Sequence, residues 1–144
     1  MTPDVNVLVA ASRNDHPHHR VAHQWLEQTL AEAAAGRTLW LLPMVVAGFL
    51  RLATHPKVFA QPTPTADAIA FVDGVLAFPG VRIAELGAEW PRLRAMCLNK
   101  TLRANDLPDA WIAAAVQQMG DQLASFDVDF KKLLKKSEFV HLAA

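Results

Sequence analysis

The stretch LASFDVDF, Leu123 to Phe130, joins a short apolar strand to two acids: Leu123–Phe126 is the strand candidate, and Asp127 and Asp129 follow it at once. In an open parallel sheet, the crevice at the carboxyl ends of the strands is where ligands collect. The chain start has the same form. Met1–Asp4 is a very short first strand that closes on Asp4, and Pro3 within it has no N–H to give a ladder. Val5–Ala11 either finishes that strand or begins a short helix. Residues 18–35 carry Ala22, Trp25, Leu26, Thr29, Leu30 and Ala33 at helical spacing, with Gly36 as the stop. Thr38–Leu42 is a brief apolar run suited to a strand buried on both faces. Pro43 opens a helix to about Thr54, since a first-turn proline loses no needed N–H. His55–Thr63 is a loop. Further helices are predicted at Pro64–Phe78, Glu89–Leu102 and Leu107–Met119, the last closed by Gly120. Val81–Leu86 and Phe139–Leu142 are strand candidates, and Phe130–Lys135 is a helical turn or two. Strands alternating with helices predict one α/β domain over residues 1–144, in three layers around a mostly parallel sheet of four to five strands.

Composition agrees. The 144 residues suit one domain, and 52% hydrophobic against 19% charged residues is enough apolar material for a core. Lysine plus arginine and aspartate plus glutamate both number 14, so the net charge is zero and only its distribution can speak for nucleic acid. The single cysteine, Cys97, excludes an internal disulfide and a cysteine metal site. The opening MTPDVNVLVAASRND has no basic leader, and its apolar run is far short of the roughly 20 residues that span a bilayer. The expectation is a cytoplasmic protein with no membrane segment.

Three places put aspartates at topologically matching ends: Asp4 after the first strand, Asp109 in the first turn of the helix after Asn105, and Asp127 with Asp129 after the strand at 123. Carboxylates gathered in one crevice repel one another unless a cation joins them. A hard ion such as Mg²⁺ or Mn²⁺ takes oxygen ligands, and such a site suits phosphodiester hydrolysis. Each acid also has a plainer reading. Asp106 has the spacing of an N-cap, Asp109 could complement the helix dipole, and Asp127 and Asp129 could be turn residues.

DVNVLVAA (4–11), LPDAWIAAA (107–115) and SFDVDF (125–130) resemble the best-marked segments of PIN domains, in the same order and at similar separations. HPHHRVAHQWL (16–26) and GFLRLATHPKVF (48–59) resemble a VapC-like branch of toxin–antitoxin ribonucleases. The resemblance spans essentially the whole chain. It implies a PIN-like α/β/α fold and a metal-dependent endoribonuclease, held in check by a cognate antitoxin and forming a homodimer. By matching position, Asp4, Asp109 and Asp127 are the Mg²⁺ or Mn²⁺ ligands, with Asp129 as a nearby helper. Asn6 matches a polar residue that orients the first acid. One position departs from the pattern. PIN nucleases usually carry a glutamate on the helix after the second strand, and Gly48 stands there. That leaves a thinner metal shell, or a degenerate PIN domain that binds RNA or a protein partner without cutting.

Other features rank lower. His16, His18, His19 and His23 cluster, but without an HExxH pattern, and are assigned to the surface or the site rim. Arg92, Arg94, Lys100 and Arg103 form one basic segment, and Lys131, Lys132, Lys135 and Lys136 another; both flank acids and suit an RNA backbone as well as an ordinary solvated face. Lys131 and Lys132 are candidate substrate contacts. Arg51, one turn after Gly48, either approaches the acids or makes a salt bridge at the core edge. Trp25, Trp40, Trp90 and Trp111 are assigned to packing, with Trp111 turned away from Asp109.

Overall fold

The computed structural model describes residues 1–143. In chain order these form β1 (Thr2–Pro3), α1 (Val5–Ser12), α2 (His19–Ala34), β2 (Leu39–Leu41), α3 (Pro43–Ala53), α4 (Thr65–Leu76), β3 (Val81–Ile83), α5 (Trp90–Lys100), α6 (Asp106–Gln118), β4 (Leu123–Ser125) and β5 (Phe139–His141), with 3-10 turns at Val128–Lys132 and Lys136–Glu138.

All strand pairings are parallel. β4 lies between β1 and β5, with Thr2 beside Leu123 and Leu123 beside Phe139, while β2 pairs with β3 through Leu39 and Val81. The two sheets meet edge to edge. The Trp40 N–H donates to the Met1 carbonyl at 2.9 Å, and the terminal ammonium donates to the Thr38 carbonyl at 3.1 Å. In this register the next donor toward Trp40 would be the nitrogen of Pro3, which carries no hydrogen. The ladder therefore stops, and five strands stand as three plus two.

The open question at Val5–Ala11 resolves as helix. Val5, Val7 and Val9 are poor helix formers, but Val7 to Ala11 are all buried, so packing on every side carries the segment. Asp4 starts it, and its carboxylate accepts from the Val5 N–H at 2.7 Å. Helix α6 ends at Gly120 as read from the sequence. Its φ is +62°, Gly120 N–H donates to Gln117 and Asp121 N–H to Val116, the paired bonds that glycine in the left-handed region permits. The carboxylate of Asp121 then holds the Met1 ammonium at 2.8 Å and the Thr2 hydroxyl at 3.0 Å. The helix end and the chain start are thus fastened together, which brings β1 beside β4.

Phe49, Phe130, Leu8, Leu39, Leu41 and Leu42 are the largest fully buried side chains. The packing role expected of the tryptophans holds for Trp25 and Trp40, which lie half-buried against the core. It fails for Trp90 and Trp111, which are 60% and 38% exposed. Arg13 is buried at the end of α1. It donates to Asp15, the Thr63 hydroxyl and the Gln61 carbonyl, and its guanidinium lies 3.8 Å from the centre of the Phe59 ring. One buried cation so pins the 55–64 loop to α1, a role that nothing in its local pattern announces.

Candidate active site

The carboxyl ends of β1 and β4 and the first turn of α6 converge. Asp4, between β1 and α1, is 7% exposed. Burial pushes its carboxyl above the ordinary value, the hydrogen bonds from Ser125 and Val5 pull it back, and the charge of Asp127 adds to the rise. Asp109 is pushed up to about 6, first by burial and then by Asp4, Asp127, Asp129 and Asp106. So the structure brings the predicted acids into one electrostatic neighbourhood.

The plainer readings sort themselves out. Among the described residues, Asp109 accepts no hydrogen bond and makes no ion pair, so it does not cap its helix, while its place in the first turn of α6 keeps it suited to the helix dipole. Asp106 is not the N-cap expected of it. Asn105 holds that place, and the Asp106 carboxylate reaches back to the Arg103 N–H at 3.1 Å. Asp127 is a turn residue, accepting from the Asp129 N–H at 2.9 Å, and its charge also bears on Asp4 and Asp109. Asp129 is exposed, with Lys132 at 3.7 Å.

Ser125 is the residue that sequence reasoning missed. Its fully buried hydroxyl donates to the second Asp4 oxygen at 2.6 Å and accepts from the Asn6 amide at 3.2 Å and the Asp127 N–H at 3.0 Å. Asn6 therefore orients Asp4 through Ser125 and not directly. The available signal was a polar residue at the carboxyl end of an otherwise apolar strand, two residues before Asp127.

Two clefts open from this centre. One, of about 710 Å³, is shared by Asp4, Asn6, Gly48, Arg51, Asp109 and Trp111. Arg51 is exposed there and makes no ion pair among the described residues, which removes the core-edge salt bridge. Trp111, expected to turn away from Asp109, lines the same cleft. Its indole N–H donates to Glu89 at 2.9 Å, and the other Glu89 oxygen accepts from the Gly87 N–H. Burial alone would raise the Glu89 carboxyl, but these bonds outweigh it and leave it below its ordinary value. The other cleft, about 490 Å³, runs past Asp109 to Asp129, Lys100 and Lys132. Each basic segment thus contributes one lysine. Lys131 is exposed on the same turn but outside that lining.

Gly48 has a local cause. A Cβ there would stand 2.8 Å from the Cγ2 of Val5, so glycine lets α3 approach α1. Gly48→Glu alone is expected to overpack this contact and lower stability by about 1–3 kcal/mol, with Val5→Ala restoring most of it in a urea melt. The histidines gather at the α1–α2 junction. His18 stacks on Phe126 with ring centres 4.7 Å apart, which places it at the rim, and His19 Nδ1 lies 2.9 Å from the Ala10 carbonyl. Among the described residues, no three His, Cys, Asp or Glu side chains form a ready metal cage, at the histidines or at the acids.

A family profile described as the PIN domain matches residues 1–136. Ribonuclease VapC25 of Mycobacterium tuberculosis is 38% identical over 133 residues, covering 90% of this chain and 89% of that protein. Ribonuclease VapC33 of the same species is 36% identical, with 90% of each chain covered. A solved structure of VapBC2 from Rickettsia felis, bound to a DNA fragment from its promoter, covers 99% of this chain and 98% of its own at a TM-score of 0.67. At 18% identity that likeness speaks for the fold, which is the parallel α/β arrangement described above. The chain belongs to the PIN-domain family, among the VapC ribonucleases.

Proposed function

We propose that this chain is an endoribonuclease acting as the toxin of a toxin–antitoxin pair, hydrolysing RNA with Mg²⁺ or Mn²⁺ held by Asp4, Asp109 and Asp127. The observation that carries the proposal is Asp109. Among the described residues its carboxylate makes no hydrogen bond and no ion pair, and four other acids bear on it. A hard divalent ion would relieve the mutual repulsion of such a cluster. The donor set fits that ion in chemistry, being all oxygen and all anionic. When bound, the ion would supply Lewis acidity toward the scissile phosphate and a water of lowered pKa.

The chain's own residues do the rest. Asp4, at the edge of the cleft, is held in place by the Val5 N–H on one oxygen and Ser125 on the other, so its carboxylate is positioned in advance. Lys100 and Lys132 on one side of Asp109 and Arg51 on the other give an RNA backbone cations to follow across the acids. The relatives' name as ribonucleases supports the activity, and the VapBC likeness supports an antitoxin partner. A homodimer belongs to the same proposal. No helix is long and apolar enough to cross a membrane among the described residues.

Gly48 favours a second reading, a non-catalytic RNA- or protein-binding PIN domain, because it removes an acid from the cleft. The experiment is incubation of total cellular RNA with metal-stripped protein, with and without Mg²⁺ or Mn²⁺. Discrete cleavage that needs the metal, and that Asp4→Asn lacks, is the expected result. Intact RNA that is nonetheless retarded on a gel would replace the first reading with the second.

A further inference from the structure

The 710 Å³ cleft is more than a metal-side pocket. Apart from Asp4, Asn6, Arg51 and Asp109 its walls are apolar, with Met44, Leu52, Leu93, Leu107 and Trp111 among them. Its volume falls in the range of small-ligand sites, which combine apolar walls with a few polar groups that fix orientation. Two features point to what it holds. The first is continuity: the acids at its edge are where the scissile phosphate must sit if the chain cuts RNA, so the adjoining space receives the nucleoside attached to that phosphate. Arg51, exposed in the same cleft, is a cation for a neighbouring phosphate.

The second is the anchoring of Trp111. Glu89 is 6% exposed; one of its oxygens accepts the indole N–H of a ring that itself remains 38% exposed, and the other accepts from the Gly87 N–H, which holds the carboxylate in place. The two hydrogen bonds satisfy the Glu89 carboxylate, and in return they fix the orientation of an indole that is not packed into the core. The arrangement makes sense if the ring's position matters to something that arrives from solution. Bases stack on aromatic side chains whatever their sequence, because each has a π-face.

We propose that this cleft is a nucleobase subsite for the nucleotide next to the scissile phosphate, with Trp111 as its wall and Glu89 as the residue that positions the indole. The proposal rests on the nuclease reading for the place of the phosphate, but its test does not need turnover. Isotope-labelled protein in Mg²⁺ buffer is titrated with each of the four nucleoside 5′-monophosphates and with ribose 5-phosphate, following the tryptophan indole N–H resonances by NMR. The expected result is that at least one monophosphate moves the Trp111 resonance and binds at least about fivefold more tightly than ribose 5-phosphate. Trp25, Trp40 and Trp90 stay unmoved. Trp111→Leu brings the ratio close to one, Glu89→Ala lowers it, and Glu89→Gln, which can still accept the indole N–H, keeps it. Equal binding of nucleotides and ribose 5-phosphate to the wild type overturns the subsite and leaves the cleft to an apolar side chain of a protein partner. Persistence of the preference in Trp111→Leu overturns it too. Protein that shows the preference but leaves RNA intact sinks the nuclease reading alone.

Discussion

Asp109→Asn is expected to lose RNA cleavage by at least about 100-fold and, at pH 7.5, to be more stable than the wild type. The two effects have one cause. Burial and four neighbouring acids hold the Asp109 carboxyl near 6, against an ordinary value of 3.8. The folded state therefore prefers the protonated group. The stability it lends is complete below pH 4 and is lost as pH rises through about 6. The full shift corresponds to an upper limit of about 3 kcal/mol, and partial contact with solvent reduces this to about 1–2 kcal/mol. Asparagine carries no charge at any of these pH values. The variant should therefore melt about 3–8 °C above the wild type at pH 7.5, and the two should converge near pH 4. Added Mg²⁺ should close the gap by stabilising the wild type alone. A variant that loses both activity and melting temperature would instead mark Asp109 as a structural residue of α6.

The second large effect belongs to Ser125→Ala. That substitution removes the donor to Asp4 and the acceptor used by Asn6 and Asp127, all at a fully buried position. Stranding such groups costs about 2–3 kcal/mol, measurable as a lower urea midpoint. Groups that orient metal ligands are worth about 10–100-fold in affinity or activity, so cleavage should fall by that factor at limiting Mn²⁺. Wild-type cleavage by Ser125→Ala across the same Mn²⁺ range would mean that Asp4 needs no such support.

The acids were legible in the sequence because parallel topology leaves little choice about where strand ends meet. Asp4, Asp109 and Asp127 each follow a recognisable start or stop signal, and the fold places all three in one neighbourhood. What was not legible depends on contacts distant in sequence. Ser125 looks like filler in a three-residue strand until Asn6, 119 residues earlier, is seen to bond it. Trp111 reads as a core aromatic on helical spacing alone. Only Glu89, 22 residues away and on the preceding helix's N-terminal side, shows that the ring is held at a cleft. Arg51 left two outcomes open because a helix period gives the face but not the partner. Gly48 was visible as a departure, yet its reason, the approach of Val5, lies on a helix whose existence the sequence left undecided.

The most direct measurement of the central claim is the cleavage rate of a single RNA as a function of Mn²⁺ concentration, for metal-stripped wild type and for Asp109→Asn. No cleavage is expected without metal, with a saturable rise in the wild type and no comparable rise in the variant over the same range. Cleavage by the stripped wild type in the presence of EDTA, or an unchanged Mn²⁺ curve in Asp109→Asn, would contradict it.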